Sequence, residues 1–425
     1  MDNNINIINI SPGIELINLP TDIFKTAQIS VTMAVPLRKE TASLNALTTY
    51  LLSRSCEQYR DFSLINKKLA ELYGASLGVQ VRKIGDNQIL KIGVSALDDR
   101  FALDDEKISY ECIKLLLSML FTPNLSDGAF PQESVEMEKR LLIERIESEI
   151  NEKRRYALLR LEEEMFKDEY YSINPLGSIE EIKKITPDDV MEAWVRILTT
   201  SKILISVVGR VDHNIIADTI EKTFSDIYRS YEGLPSTQRK NQQGDVKVVE
   251  ERLDINQGKL VLGFRVEDEN INPSTLTSAV DVFGGGPYSR LFVNVREKMS
   301  LCYYCSASPQ RQKGVVYVQC GCEEENMDKA INEIFSQLKC VADNEFTDEE
   351  FNASKMAIGD AIMGFNDNPY VLENWYVQQI LDDEYITPEQ KAVFNKNVTK
   401  EEIALAASKI KLDTVYKLMC KKEEN

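Results

Sequence analysis

A chain of 425 residues with 43% apolar content is long enough for two folded domains, each burying its own core. Its formal charge is −18, from 68 acidic against 50 basic residues, and no Lys/Arg cluster stands clear of neighbouring Asp/Glu, which excludes a nucleic-acid partner. No apolar run approaches a bilayer span, and Met1 to Pro20 has no basic start leading into an apolar stretch, so the expectation is a cytoplasmic chain with no membrane partner. The single histidine, His213, rules out any site that needs two imidazoles; lying just after a strand, it reads as an ordinary surface residue.

Taken in chain order, alternating apolar residues predict strands over Ile5 to Ile10 and Ala27 to Val35. Helical periodicity follows over Thr41 to Arg54 and Ser63 to Leu72, then strands Ser76 to Lys83 and Gln88 to Val94. One long charged helix is expected from about Pro131 to Phe166, with Pro131 suited to its first turn. Thr186-Pro187-Asp188-Asp189 has the form of a capping box opening a helix, and the apolar strand Ile203 to Val208 closes the first half. The polar segment from about Arg229 to Asp245 offers little to bury and is expected to be a linker. The same order then returns: strands Val246 to Arg252 and Lys259 to Arg265, helices Pro273 to Val282 and Ser289 to Lys298, strands Leu301 to Ser308 and Val315 to Gly321. A helix Thr347 to Met363, a capping pattern at Thr399 to Glu402 and a strand Thr414 to Leu418 complete it. This predicts an α+β fold of two homologous domains, 1–228 and 246–425, each a mostly antiparallel sheet packed by helices and joined by the linker 229–245.

Eight cysteines are few for this length, and Cys56, Cys112, Cys340 and Cys420 stand alone, the usage of reduced, buried thiols. Cys302-x-x-Cys305 and Cys320-x-Cys322 could in principle offer four thiolates to a metal. If both pairs lie in strands, however, Cys302 and Cys305, three apart, point to opposite faces. The expectation is therefore a chain that binds no metal.

The run Phe283 to Phe292, containing Gly284-Gly285-Gly286-Pro287-Tyr288-Ser289-Arg290-Leu291, with Val295-Arg296-Glu297-Lys298 and Leu301-x-Tyr303, resembles the second-domain signature of the M16 (pitrilysin/insulinase) peptidases. Asn174-Pro175-Leu176-Gly177, the Ile185 to Val190 run and Val207-Val208-Gly209-Arg210-Val211-Asp212 resemble the end of that family's first domain. Active members carry His-x-x-Glu-His on a first-domain helix, two histidines for zinc and a glutamate to activate water, with a further glutamate from a later helix. Anchored on Leu72-Tyr73-Gly74-Ala75, which is similar to the family's Leu-Gly-Gly pattern, the motif falls on Leu47 to Leu51. Leu47 and Leu51 then stand for the histidines, Tyr50 for the base, and Arg145 for the later glutamate, with Glu144 beside it.

The resemblance implies that Arg296 and Tyr303, seven residues apart, hold the substrate backbone and stabilise charge on its carbonyl, and that Gly284, Gly285 and Gly286 let a peptide approach closely. In the family's two-chain branch such residues come from an inactive subunit and serve a zinc held by the partner. The implied function is that of a non-catalytic subunit, with zinc and the His-x-x-Glu-His motif in a partner M16 chain and a peptide or small protein as substrate. The alternatives are a homodimeric peptide-binding or scaffold protein of the same fold, and an unrelated activity using Cys302 and Cys305. The stretch Leu72 to Leu77 also resembles a bacterial group of the family associated with aminopentanol modification of elongation factor P.

Overall fold

In this computed structural model the described residues are 5–225, 227–242 and 244–421. They form two compact units that are not contiguous in the chain: Met1–Glu147, Ile173–Ser236 and Phe365–Tyr385 make the first, and Ser148–Ser172, Thr237–Gly364 and Ile386–Asn425 the second. The units differ from the expected halves by one segment lent in each direction. No helix among the described residues is long and apolar enough to cross a membrane.

The first unit is built on six strands, β1 (Asn6–Ser11), β2 (Ile14–Leu19), β3 (Thr26–Pro36), β4 (Ser76–Ile84), β5 (Asn87–Leu97) and β6 (Lys202–Val208), in the order β1-β2-β6-β3-β5-β4. Every neighbouring pair is antiparallel except β2 with β6. β3 is buried from Ala27 to Val35, because both faces of the sheet are covered. Alternation divides its neighbours cleanly. Leu16, Ile203 and Ile205 face the core made with helices Lys39–Leu52, Ile108–Phe121 and Pro187–Thr200, whereas Ile17, Leu204 and Val208 face helix Pro369–Leu381 through Leu372, Tyr376 and Ile380. Helix Pro187–Thr200 opens as its sequence predicts: Thr186 accepts from the Asp189 amide at 3.3 Å, and the Asp189 carboxylate accepts from the Thr186 amide at 2.8 Å.

The second unit repeats the plan with β7 (Lys247–Leu253), β8 (Gly258–Val266), β9 (Tyr304–Gln310), β10 (Val315–Cys322) and β11 (Ile410–Cys420), ordered β7-β11-β8-β10-β9. Apart from the extra β1, the two sheets have the same order, and in each the last strand runs parallel to the first. Leu260, Leu262, Phe264 and Val318 face the helices Pro273–Gly284, Met327–Ala342 and Lys400–Ser408; Val261, Tyr317, Tyr416 and Leu418 face helix Lys153–Met165. That helix lies so close that a Cβ on Gly263 would stand 2.6 Å from the Met165 sulfur.

The continuous helix expected over Pro131 to Phe166 is two helices, Gln132–Ser148 and Lys153–Met165, broken at Glu149–Asn151 and divided between the units. The break has no Gly or Pro to mark it; the second piece packs on β8 and β11. In each unit the lent segment brings a buried carboxylate to buried cations. Glu373, with no exposure, meets Lys91 Nζ at 2.8 Å and accepts from Ser30 Oγ. Glu169 accepts from Arg265 Nη2 at 2.9 Å and Lys313 Nζ at 2.8 Å. The expected linker has no regular structure over residues 227–242. Within it Arg229 donates to the Leu198 carbonyl at 2.5 Å, and Arg239 to the Arg311 carbonyl at 2.8 Å.

Candidate functional site

Leu47, Tyr50 and Leu51 lie on helix Lys39–Leu52 and Arg145 on helix Gln132–Ser148, and the fold brings them together. Leu47 is wholly buried, and Leu51 and Tyr50 nearly so, in the core with Leu90, Val135 and Leu142. The Arg145 guanidinium carbon stands 4.1 Å from the centre of the Tyr50 ring, so the positions matched to a base and a metal ligand do face each other. Their chemistry does not fit zinc: two leucines offer no lone pair, and a guanidinium keeps its charge and has no acceptor. Glu144, beside Arg145, is exposed. One acidic group is buried on this helix, Glu138, and it is paired with Arg54 Nε at 3.0 Å. Its pairing was not singled out from sequence; a glutamate two turns before Arg145 on the same face was the available signal.

In the second unit Arg296 sits on a π-helix, Leu291–Lys298, where an α-helix was expected, with Met299 N donating to Asn294 O at 3.1 Å. Ser300 follows in the left-handed region at φ 53°, so the backbone between Arg296 and Tyr303 is irregular twice over. Arg296 is 40% exposed, its guanidinium 4.5 Å from the Phe292 ring centre and 3.6 Å from Glu297. Tyr303 is 62% exposed and its hydroxyl donates to Glu323 Oε1 at 3.3 Å. Both side chains therefore present polar groups to solvent. Gly284 ends helix Pro273–Gly284, and each of the three glycines also has an internal neighbour: an added Cβ would come within 2.7 Å of Ala307 at Gly284, 2.0 Å of the Asp281 carboxylate at Gly285, and 2.8 Å of the Tyr288 ring at Gly286. Asp281, raised by burial against the opposing hydrogen bonds from Ser354 and Tyr288, anchors this loop.

The expected divergence of Cys302 and Cys305 does not occur. β9 begins at Tyr304, so Cys302 lies before the strand and strand alternation does not govern it. The sulfurs of Cys302, Cys305 and Cys320, all buried, lie within 4.8 Å of one another. Cys305 and Cys320 are direct cross-strand partners, and Cys322, also buried, is hydrogen-bonded to Cys320. Hydrogen bonds from Cys305 and Cys320, aided by the charge of Arg296 and opposed by burial, hold the Cys302 thiol below the usual thiol range; Cys305 and Cys320 are pushed up in return.

His213 is half-buried rather than on the surface: Nδ1 lies 3.0 Å from Asn18 Oδ1, and burial lowers its pKa.

A model of the peptidase M16 inactive domain matches residues 184–358. A Bacillus subtilis relative, "Probable inactive metalloprotease YmfF", is 30% identical over 398 residues, covering 93% of each chain. The chain belongs to the M16 peptidase family. It is an M16 member without the histidine zinc motif, a pseudopeptidase homologue. The crystal structure of a conserved protein from Enterococcus faecalis superposes with a TM-score of 0.90 at 25% identity, covering 99% of this chain and 100% of that one. A peptidase M16 inactive domain from Pseudomonas fluorescens, at 14% identity and a TM-score of 0.79 over 99% of this chain and 100% of that one, shares the M16 fold.

Proposed function

We propose that this chain is the non-catalytic subunit of a two-chain M16 zinc peptidase, with the zinc and its His-x-x-Glu-His helix in the partner. One observation carries the reading: two groups of residues that the resemblance singles out differ in kind. The positions that the resemblance matches to the zinc site are apolar core and a cation–π contact, whereas those it matches to substrate contacts, Arg296 and Tyr303, are partly and largely exposed at the family spacing. In the paired enzyme Arg296 would hold the substrate's main chain, and Tyr303 would donate to the carbonyl oxygen as negative charge develops there. The substrate is a peptide or small protein. Eight unpaired cysteines suit a reducing compartment, and we place the complex in the cytoplasm.

The test is co-purification of the native chain, followed by peptidase assay of the complex. A partner of similar length bearing His-x-x-Glu-His is expected, and Arg296→Ala or Tyr303→Phe in this chain should lower the partner's turnover by about 10²-fold while the complex still assembles. A homodimer with no such partner, or turnover indifferent to both substitutions, rejects the proposal and favours a homodimeric scaffold.

A further inference from the structure

We propose that Cys302, Cys305 and Cys320, with Cys322 as fourth donor, form a structural site for a divalent metal of the zinc class, held inside the second unit and independent of any partner's zinc. Isolated buried cysteines behave as small hydrophobes and need no further explanation. Convergence is what sets these apart. Among the described residues no other three His, Cys, Asp or Glu side chains bring their ligand atoms so close together. A tetrahedral zinc with bonds of about 2.3 Å holds its sulfurs about 3.8 Å apart, a spacing that three sulfurs mutually within 4.8 Å reach by side-chain adjustment alone.

The backbone shows how the sequence builds the cluster. Cys305 and Cys320 face each other across the β9–β10 pair, and Cys322, two residues on, shares the face of Cys320. Cys302 is folded back toward them by two main-chain bonds on its flanks, Leu301 N to Val295 O at 3.1 Å and Tyr303 N to Gly321 O at 2.8 Å. The ligands are all soft sulfur donors, which select zinc-class metals over calcium or magnesium. Four thiols binding one M2+ release four protons and leave a cluster of net charge −2, with no oxidant required. Two cations act on these sulfurs electrostatically: Arg296 on Cys302, and Lys259 on Cys320 and Cys322. Tyr303 lies between two of the ligands, so a bound metal would fix the segment that presents its hydroxyl.

The experiment uses the full-length chain without a histidine tag, purified under reducing conditions free of chelator. Elemental analysis should find about one zinc per chain, and cobalt added after zinc removal should give thiolate-to-metal charge-transfer absorption in the near ultraviolet together with intense tetrahedral visible bands. Cys302→Ser with Cys305→Ser should lose the metal; Cys56→Ser with Cys112→Ser should retain it. The cobalt spectrum of the unaltered chain keeps the test sharp should the first variant fail to fold. Metal at or below about a tenth per chain both as isolated and after reconstitution overturns the proposal. So does a cobalt spectrum without the sulfur bands, a metal retained by the folded Cys302/Cys305 variant, or a native disulfide joining any two of the four cysteines.

Discussion

Where the resemblance would put the zinc site, Arg145 and Tyr50 face each other beside packed leucines. Leu47 and Leu51 fill the core there, and the Arg145 guanidinium stands over the tyrosine ring. Leu47→Ala should therefore cost about 2–5 kcal/mol, read as a lower denaturant midpoint. His213 gives a separate prediction. Burial depresses its pKa, and Nε2 is enclosed without a partner among the described residues, so the imidazolium is favoured in the unfolded chain. A base with a folded pKa below its unfolded value leaves stability intact above about pH 6.5 and withdraws it as pH falls from there to the folded value. His213→Gln should flatten the dependence of the unfolding midpoint between about pH 7.5 and 5.5. At this scale the sequence was informative about absence, since one histidine cannot make the site. It was misleading about Cys302, because that residue precedes its strand and alternation does not govern where it points.

Among elements, the repeated strands and the capping boxes at Thr186 and Thr399 were legible because their signals are local: alternation, and a hydroxyl three residues from a carboxylate. β2 was missed; its six residues sit beside a parallel partner, burying both faces, and carry no alternation to read. The break at Glu149–Asn151 was also invisible, since charged residues continue through it and only the tertiary destinations of the two helices differ. The buried carboxylates that fasten the lent segments are the sensitive points. Glu373→Ala would remove the carboxylate paired with Lys91, 3% exposed, and Glu169→Ala would remove the carboxylate from both Arg265 and Lys313. Each should destabilise its own unit by about 3–5 kcal/mol, whereas a Glu181→Ala control at the exposed pair with Lys184 should cost less than about 1 kcal/mol. Thermal or denaturant unfolding of the three variants decides it.

For the whole molecule, the duplication was readable from element order, and the matching strand order of the two sheets bears it out. The exchange of segments was not, because no residue near Glu147, Ser172, Gly364 or Tyr385 announces that the chain is about to change units. It makes the halves inseparable by a single cut. A fragment ending at Ser236 would lack helix Pro369–Leu381 and leave Ile17, Leu204 and Val208 uncovered on the sheet. Such a fragment should aggregate or bind an apolar dye where the intact chain does not, and a peptide spanning residues 365–385 should reduce that binding.

The same exchange fixes an order of events during synthesis. A protein whose first domain is its first half can finish folding that domain while the ribosome is still making the second. Here the sheet begun at Asn6 waits for residue Leu381 of 425 before its second face is closed. From the completion of β6 at Val208 until Leu381 has been made, the nascent chain carries a sheet with one apolar face open to whatever in the cell binds such surfaces.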